Sequence, residues 1–303
     1  MGQQSEEGKG IAYGLAAYVA WGFAPLYWPL LAPSTPYEVL SHRIIWSLVF
    51  LALVNSAMRT WPAVRSSWAD ARKRKLLMVA SFLITVNWGL YIWSVNNQHV
   101  VDASLGYFIT PFISVALGTL VLGEHLRRAQ QVAIGIAFVS VVVLTVNGGQ
   151  LPWIGLVLAA SFGAYGYVKK LVDVEAIASL TIETAVALPF GLAYLLYLEF
   201  TGSAAFLHTS FGHTLTVLSA GVITAVPLLG FGAAAVRIPL VTLGFLQYFS
   251  PFIQFSVGVW IIGETMTQLR WVGFVLLWLG LVVYSYDMWK SARINPSTSS
   301  PAL

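Results

Sequence analysis

Cysteine is absent from this 303-residue chain, and charged residues make up only 9% of it. The first absence excludes disulfides, thiol catalysis and cysteine-based zinc sites, and it leaves the redox compartment unread. The second excludes a soluble domain of this size, whose surface would need far more charge. The five histidines form no metal-ligand pattern and no glycine-rich Walker loop occurs, so neither a metal, a cofactor nor direct use of ATP is expected. The net charge of +4 comes from basic residues lying between apolar segments, which argues against nucleic acid as a partner. Hydrophobic residues fill 58% of the chain and the mean hydropathy is +0.77, so lipid is the implied solvent.

A helix that crosses a bilayer core of about 30 Å needs roughly 20 apolar residues. Ten such runs occur, near 10–31, 36–57, 76–96, 102–122, 129–146, 152–169, 176–198, 213–235, 240–262 and 268–289. Turn and polar signals separate them, among them Pro33-Ser34-Thr35-Pro36, Asn96-Asn97-Gln98-His99, Gly123-Glu124 and Asn147-Gly148-Gly149-Gln150. The connections are mostly too short for a soluble domain. The first run is read as a span and not a cleaved signal, because it continues past Trp21 and only Lys9 precedes it. With the N-terminus inside, Lys9, Arg59, Arg65, Arg72, Lys73, Arg74, Lys75, Arg127, Arg128, Lys169, Lys170, Arg237, Lys290 and Arg293 all fall on the cytoplasmic side. Arg270 alone falls outside, and Arg43 lies within a span. The Arg72 to Lys75 run reads as a topology anchor against anionic lipid.

The fourth and ninth runs share a pattern at a constant offset of 140: Pro111-Phe112-Ile113, Gly118 and Gly123-Glu124 match Pro251-Phe252-Ile253, Gly258 and Gly263-Glu264. Gly14, Trp21 and Gly22 match Gly155, Phe162 and Gly163 at nearly the same offset. The expected fold is therefore an all-α integral membrane protein of ten transmembrane helices in two inverted five-helix repeats, since an odd number per half forces the second to enter from the opposite side. The expected organisation is a cytoplasmic segment at 1–9, repeats at 10–149 and 150–289, and a disordered cytoplasmic tail at 290–303, placing both termini in the cytoplasm.

Tyr107, Thr110 and Ser114 are spaced i, i+3, i+7 and share one helix face, and the same offset gives Gln247, Ser250 and Gln254. Tyr248 stands beside the second stripe. Lipid rejects such polar stripes, so both should face an interior cavity, with interhelical hydrogen bonding as the alternative. Pro111 and Pro251 each remove a backbone hydrogen bond and are expected to act as hinges. His42, Arg43 and Glu183 are ionisable groups within spans, and His42 superposes on Glu183 at offset 141. Either they form structural ion pairs, or Arg43 holds an anionic group while Glu183 or His42 exchanges a proton. A direct contact of Arg43 with Glu183 stays open. Asn87, Trp88 and Tyr91 could grip a small organic solute, whereas Trp93 and Asn96 read as interfacial.

The stretches AAYVAWGFAPLYW (16–28), SHRIIWS (41–47), NWGLYIWSVNN (87–97), ASLGYFITPF (103–112) and PLLGFGAAAVRIPLVTLGFLQYFSP (227–251) strongly resemble the RarD proteins, a branch of the EamA group in the drug/metabolite transporter superfamily. The resemblance reaches to about residue 290. It implies ten helices, a central cavity between the halves, a place in the bacterial inner membrane, and export of metabolites or drugs. Thr110 departs from the family pattern, which more often has Asn there. The expected function is a secondary transporter that moves a small organic solute by alternating access, with proton coupling through Glu183 or His42. Its partners are the solute, the lipid bilayer and protons, and no protein partner is implied. An uncoupled facilitator is the rival, and a membrane-embedded enzyme or a receptor is a remoter alternative.

Overall fold

The computed structural model describes residues 2–122, 127–149, 151–172, 174–235, 237–238 and 240–294. Every regular element among them is helical. In chain order these are α1 (Gly2–Tyr27), a 3-10 turn (Trp28–Leu31), α2 (Pro36–Met58), α3 (Trp61–Ala69), α4 (Ala71–Asn96), α5 (Val100–Leu122) and α6 (Arg128–Gly148). There follow α7 (Trp153–Val172), α8 (Ala176–Phe200), α9 (Phe211–Ala235), α10 (Leu240–Gln247), α11 (Phe249–Ser256), a π-helical stretch (Val257–Ile262) and α12 (Gln268–Ile294). Helix occupies each of the ten expected runs. Seven helical stretches among the described residues are long and apolar enough to cross a bilayer: α2, α4, α6, α8, α9, the 242–262 segment and α12. The chain is an α-helical membrane protein.

Burial is arranged for lipid. Phe190 and Phe200 present 77% and 87% of their surface outward, while Glu38 and Glu183 are each 1% exposed. A water-soluble fold does the reverse. Caps punctuate the helices where the sequence provides them. Thr35 Oγ1 accepts from Glu38 N at 3.3 Å with Pro36 just inside α2, and Asp70 accepts from Arg72 N and Lys73 N at 2.8 and 3.0 Å at the start of α4. The short α3 was not expected. It sits in the basic connection and is only nine residues long, below any span signal. At the other end α12 continues as far as Ile294. The landmark Gly123-Glu124 lies outside the described residues.

The chain forms two compact units, each drawing on both sequence halves: the first from Met1–Pro25, Gln98–Gly163 and Gly230–Leu303, the second from Leu26–Asn97 and Ala164–Leu229. The first unit has an aromatic core. Phe108, Phe255 and Phe274 are fully buried, Phe255 and Phe274 lie 4.7 Å apart between ring centres, and Trp278 packs against all three. Its helices approach closely where side chains vanish: a Cβ on Gly106 would meet Gly155 O and Leu158 Cβ at 2.8 Å, so α5 and α7 are in backbone contact. The second unit packs α2 against α8, α4 and α9. A Cβ on Gly221 of α9 would lie 2.4 Å from the backbone of Trp46, and Asn55 Nδ2 donates to Thr181 Oγ1 across α2 and α8 at 2.8 Å.

Candidate functional site

In the first unit parts of the two polar stripes meet. Thr110, Pro111 and Ser114 of α5 line a cleft of about 190 Å³ together with Gly244, Phe245, Gln247, Tyr248, Tyr284 and Ser285. Thr110 Oγ1 donates back to Gly106 O at 3.0 Å, and Ser114 Oγ to Thr110 O at 3.1 Å, so both hydroxyl protons are engaged along the helix while the oxygens keep lone pairs. Tyr107, Ser250 and Gln254 do not line this cleft. Tyr107 packs edge-on against Phe162 at 5.9 Å, and Gln254 Nε2 donates to Ser250 Oγ and Trp21 O at 3.1 and 3.2 Å.

The two prolines act differently. α5 runs through Pro111 unbroken. The helix carrying Pro251 is interrupted at Tyr248, between α10 and α11. Pro251 has no N–H to give to the carbonyl of Gln247 four residues earlier, and the helix breaks there, with Tyr248 N donating to Phe245 O in a tighter 3-10-type bond of 3.2 Å. Six residues beyond Pro251 the backbone loosens into the π stretch.

In the second unit, the guanidinium of Arg43 lies 4.0 Å from the ring centre of Trp88 and 5.1 Å from that of Trp28. It stacks on both indoles. The imidazole of His42 lies 4.4 Å from the ring centre of Phe206, and neither of its nitrogens has a hydrogen-bond partner among the described residues. An unsatisfied buried polar group costs about 1–3 kcal/mol, so its retention within an apolar span calls for a reason. Asn87 and Tyr91 are buried on α4 with Trp88.

Glu183 is placed very differently from His42, although the two superpose by sequence offset. Its carboxylate accepts from Lys169 Nζ at 2.8 Å, Tyr165 OH at 2.9 Å and Ser179 Oγ at 2.6 Å, and Lys169 also contacts Ser179. By sequence Lys169 reads as a topology charge. Tyr165 and Lys169 stand four apart on α7, and that shared face was the available signal. Glu38, not singled out by sequence, receives Ala205 N and Phe206 N at 2.9 and 3.0 Å. His213 Nε2 contacts Leu31 O at 3.0 Å and Ser34 Oγ at 3.1 Å.

Near the helix ends, Arg270, the exception to the charge rule, is neutralised by Asp102 in the first turn of α5. Glu264 accepts from Val100 N and Val101 N, the free donors at the start of α5. Burial pushes its carboxyl above the ordinary value, against the pull of those backbone bonds. No group of His, Asp and Glu suited to a metal occurs among the described residues.

A lipid-embedded helical chain with a polar cleft in one unit and ionisable groups buried in the other has the construction of a membrane transporter. Residues 8–146 match the model of the EamA-like transporter family. The chain is 49% identical to Protein RarD of Streptomyces exfoliatus over 293 residues, covering 97% of this chain and 93% of that protein. It is 39% identical over 290 residues to a protein of Vibrio cholerae named only as an uncharacterized transporter, covering 96% of each. A crystal structure of another protein shares the fold at a TM-score of 0.59 and 15% identity, over 93% of this chain and 98% of its own. The chain belongs to the RarD group of the EamA-like transporters. It is a bacterial multi-pass membrane transporter, and the family implies a small-molecule solute.

Proposed function

We propose that the protein is a secondary active exporter of small organic solutes, metabolites or drugs, in the bacterial inner membrane, with ten spans in two inverted five-helix repeats and both termini cytoplasmic. Alternating access moves the solute, the two repeats exchanging roles as the path opens to one side and then the other. The observation that carries this reading is the cleft of the first unit, where polar residues of α5 and of the α10 segment related to it by the 140-residue offset converge. Polar groups of both stripes, Thr110 and Ser114 from one and Gln247 from the other, facing one space inside an apolar shell support a solute path. The outward direction rests on the family resemblance.

The cycle is coupled to protons through His42. Its two ring nitrogens are free to exchange a proton, whereas the oxygens of Glu183 already accept from three donors, one of them a lysine. Glu183 and Lys169 then serve as a fixed strut that joins α8 to α7. Flux of candidate solutes into liposomes holding the purified protein alone tests transport. An imposed pH gradient should accelerate that flux several-fold in the wild type and leave His42→Asn unresponsive. Flux indifferent to the gradient in both would favour the uncoupled facilitator.

A further inference from the structure

We infer that the cleft of the first unit takes an uncharged, metabolite-sized solute bearing a carboxamide; this rests on the transporter reading above and names its substrate class. The cleft's volume of about 190 Å³ is small beside the roughly 300–1,000 Å³ of sites that take drug-sized ligands. A compact metabolite fits it better than a drug does. Its two walls offer different chemistry. On the α5 wall, Thr110 Oγ1 and Ser114 Oγ have given their protons to Gly106 O and Thr110 O, so what they present to a solute is lone pairs. The α10 wall carries the carboxamide of Gln247, which lines the cleft and makes no hydrogen bond among the described residues.

These donors and acceptors select the ligand. A carboxamide side chain both donates and accepts, and a second carboxamide answers it with a reciprocal pair of N–H···O bonds. A primary amide then has one N–H left over, and the hydroxyl oxygens of the α5 wall are acceptors for it. Charge is selected against in both signs. A carboxylate only accepts, so the α5 oxygens repel it. An ammonium would find acceptors, but no Asp or Glu is among the described residues that line the cleft, and an unpaired charge away from water is costly. Arg127 and Asp287, whose charges reach Tyr284 at the cleft, neutralise each other at 2.6 Å. Phe245, Tyr248 and Tyr284 add ring surface for the apolar part of the solute.

Benzamide, N,N-dimethylbenzamide, benzoate and benzylammonium share one ring and differ in the headgroup. Titrated calorimetrically into the full chain in lipid nanodiscs, benzamide should bind at least tenfold tighter than each of the other three. The dimethyl compound is the sharpest control, because a site built to hydrogen-bond N–H groups rejects the analogue that lacks them. Gln247→Leu should bring benzamide down to the affinity of the dimethyl compound and leave the latter unchanged. Thr110→Val keeps the shape and removes one acceptor, and should weaken benzamide several-fold, which covers the case in which the Gln247 variant does not fold. Equal binding of the four, tightest binding of either ion, no binding of benzamide, or full benzamide affinity in both variants would overturn the site. Benzamide binding without flux of any solute in liposomes would leave the site standing and remove the transporter reading. Solute flux that benzamide does not inhibit would do the opposite.

Discussion

The two units bury different things. Among the described residues the buried Glu, His and Arg side chains, Glu38, His42, Arg43, Glu183 and His213, all lie in the second unit, while the buried polar residues of the first are Ser104, Thr110, Ser140, Ser161, Ser250 and Gln254. The first unit is held by aromatic packing around Phe108, Phe255 and Phe274, and its polar groups mark out a small cleft. In lipid, where apolar burial gives helices little reason to associate, packing and hydrogen bonds decide what holds. One unit relies chiefly on ring packing and close backbone approach, the other on charge neutralised inside the protein. The contrast separates stability from chemistry, because the buried Glu, His and Arg side chains of the described residues lie in the second unit.

The sharpest way to break the contrast is to remove half of the Glu183 pair. Glu183→Leu leaves Lys169 beside Ser179 and Tyr165 without its carboxylate, and should destabilise the protein by roughly 2–3 kcal/mol, reduced from the fully buried case because the Lys169 side chain keeps 22% exposure. Thermal unfolding in detergent measures it. The double variant Lys169→Met with Glu183→Leu should recover much of the loss; if it does not, the pair does more than neutralise charge.

Glycine contacts compare the units directly. Gly221→Ala and Gly106→Ala each force a Cβ against backbone, and overpacking of this kind costs about 1–3 kcal/mol. Gly221 should suffer more, since its nearest atom would be at 2.4 Å against 2.8 Å for Gly106. A smaller effect is expected at Glu264 in the first unit, where Glu264→Ala removes an acceptor from the start of α5 at about 1 kcal/mol. Because burial raises its carboxyl above the ordinary value of 4.5, the folded state prefers the protonated form, and stability should decline as pH rises from there through the folded value. Glu264→Gln keeps an accepting oxygen without the charge and should flatten that decline. The smallest effect belongs to Asp70, whose capping bonds from Lys73 N and Arg72 N hold its carboxyl below the ordinary value of 3.8. Its contribution is present above that value and should fade as pH falls through the depressed one, a slope that Asp70→Ala removes in the same unfolding measurement.

Helical runs were legible because a bilayer imposes a length and a composition, and both are visible in any stretch of about 20 residues. Of the two polar stripes drawn from their i, i+3, i+7 spacing and offset, Thr110, Ser114 and Gln247 share a cleft, while Tyr107, Ser250 and Gln254 do not line it. What stayed hidden was pairing between helices. His42 and Glu183 occupy matching sequence positions, yet one is unpartnered and the other meets three donors, because the difference is made by residues on α7, namely Tyr165 and Lys169. Lys169 carries the charge of a cytoplasmic anchor, and nothing in a hydropathy pattern distinguishes that from a charge folded inward. The two prolines were likewise indistinguishable by sequence, although only one of their helices is broken.

That break has a consequence for selectivity. Gln247 and Tyr248 stand where α10 ends and α11 begins, so part of the cleft wall sits on a joint, whereas Thr110 and Ser114 sit on a continuous rod. A small swing of α10 about this joint would alter the separation of the two walls without repacking α5. In the proposed solute path one wall thus serves as the ruler and the other as the caliper jaw, so that the same few polar groups grip solutes of different width.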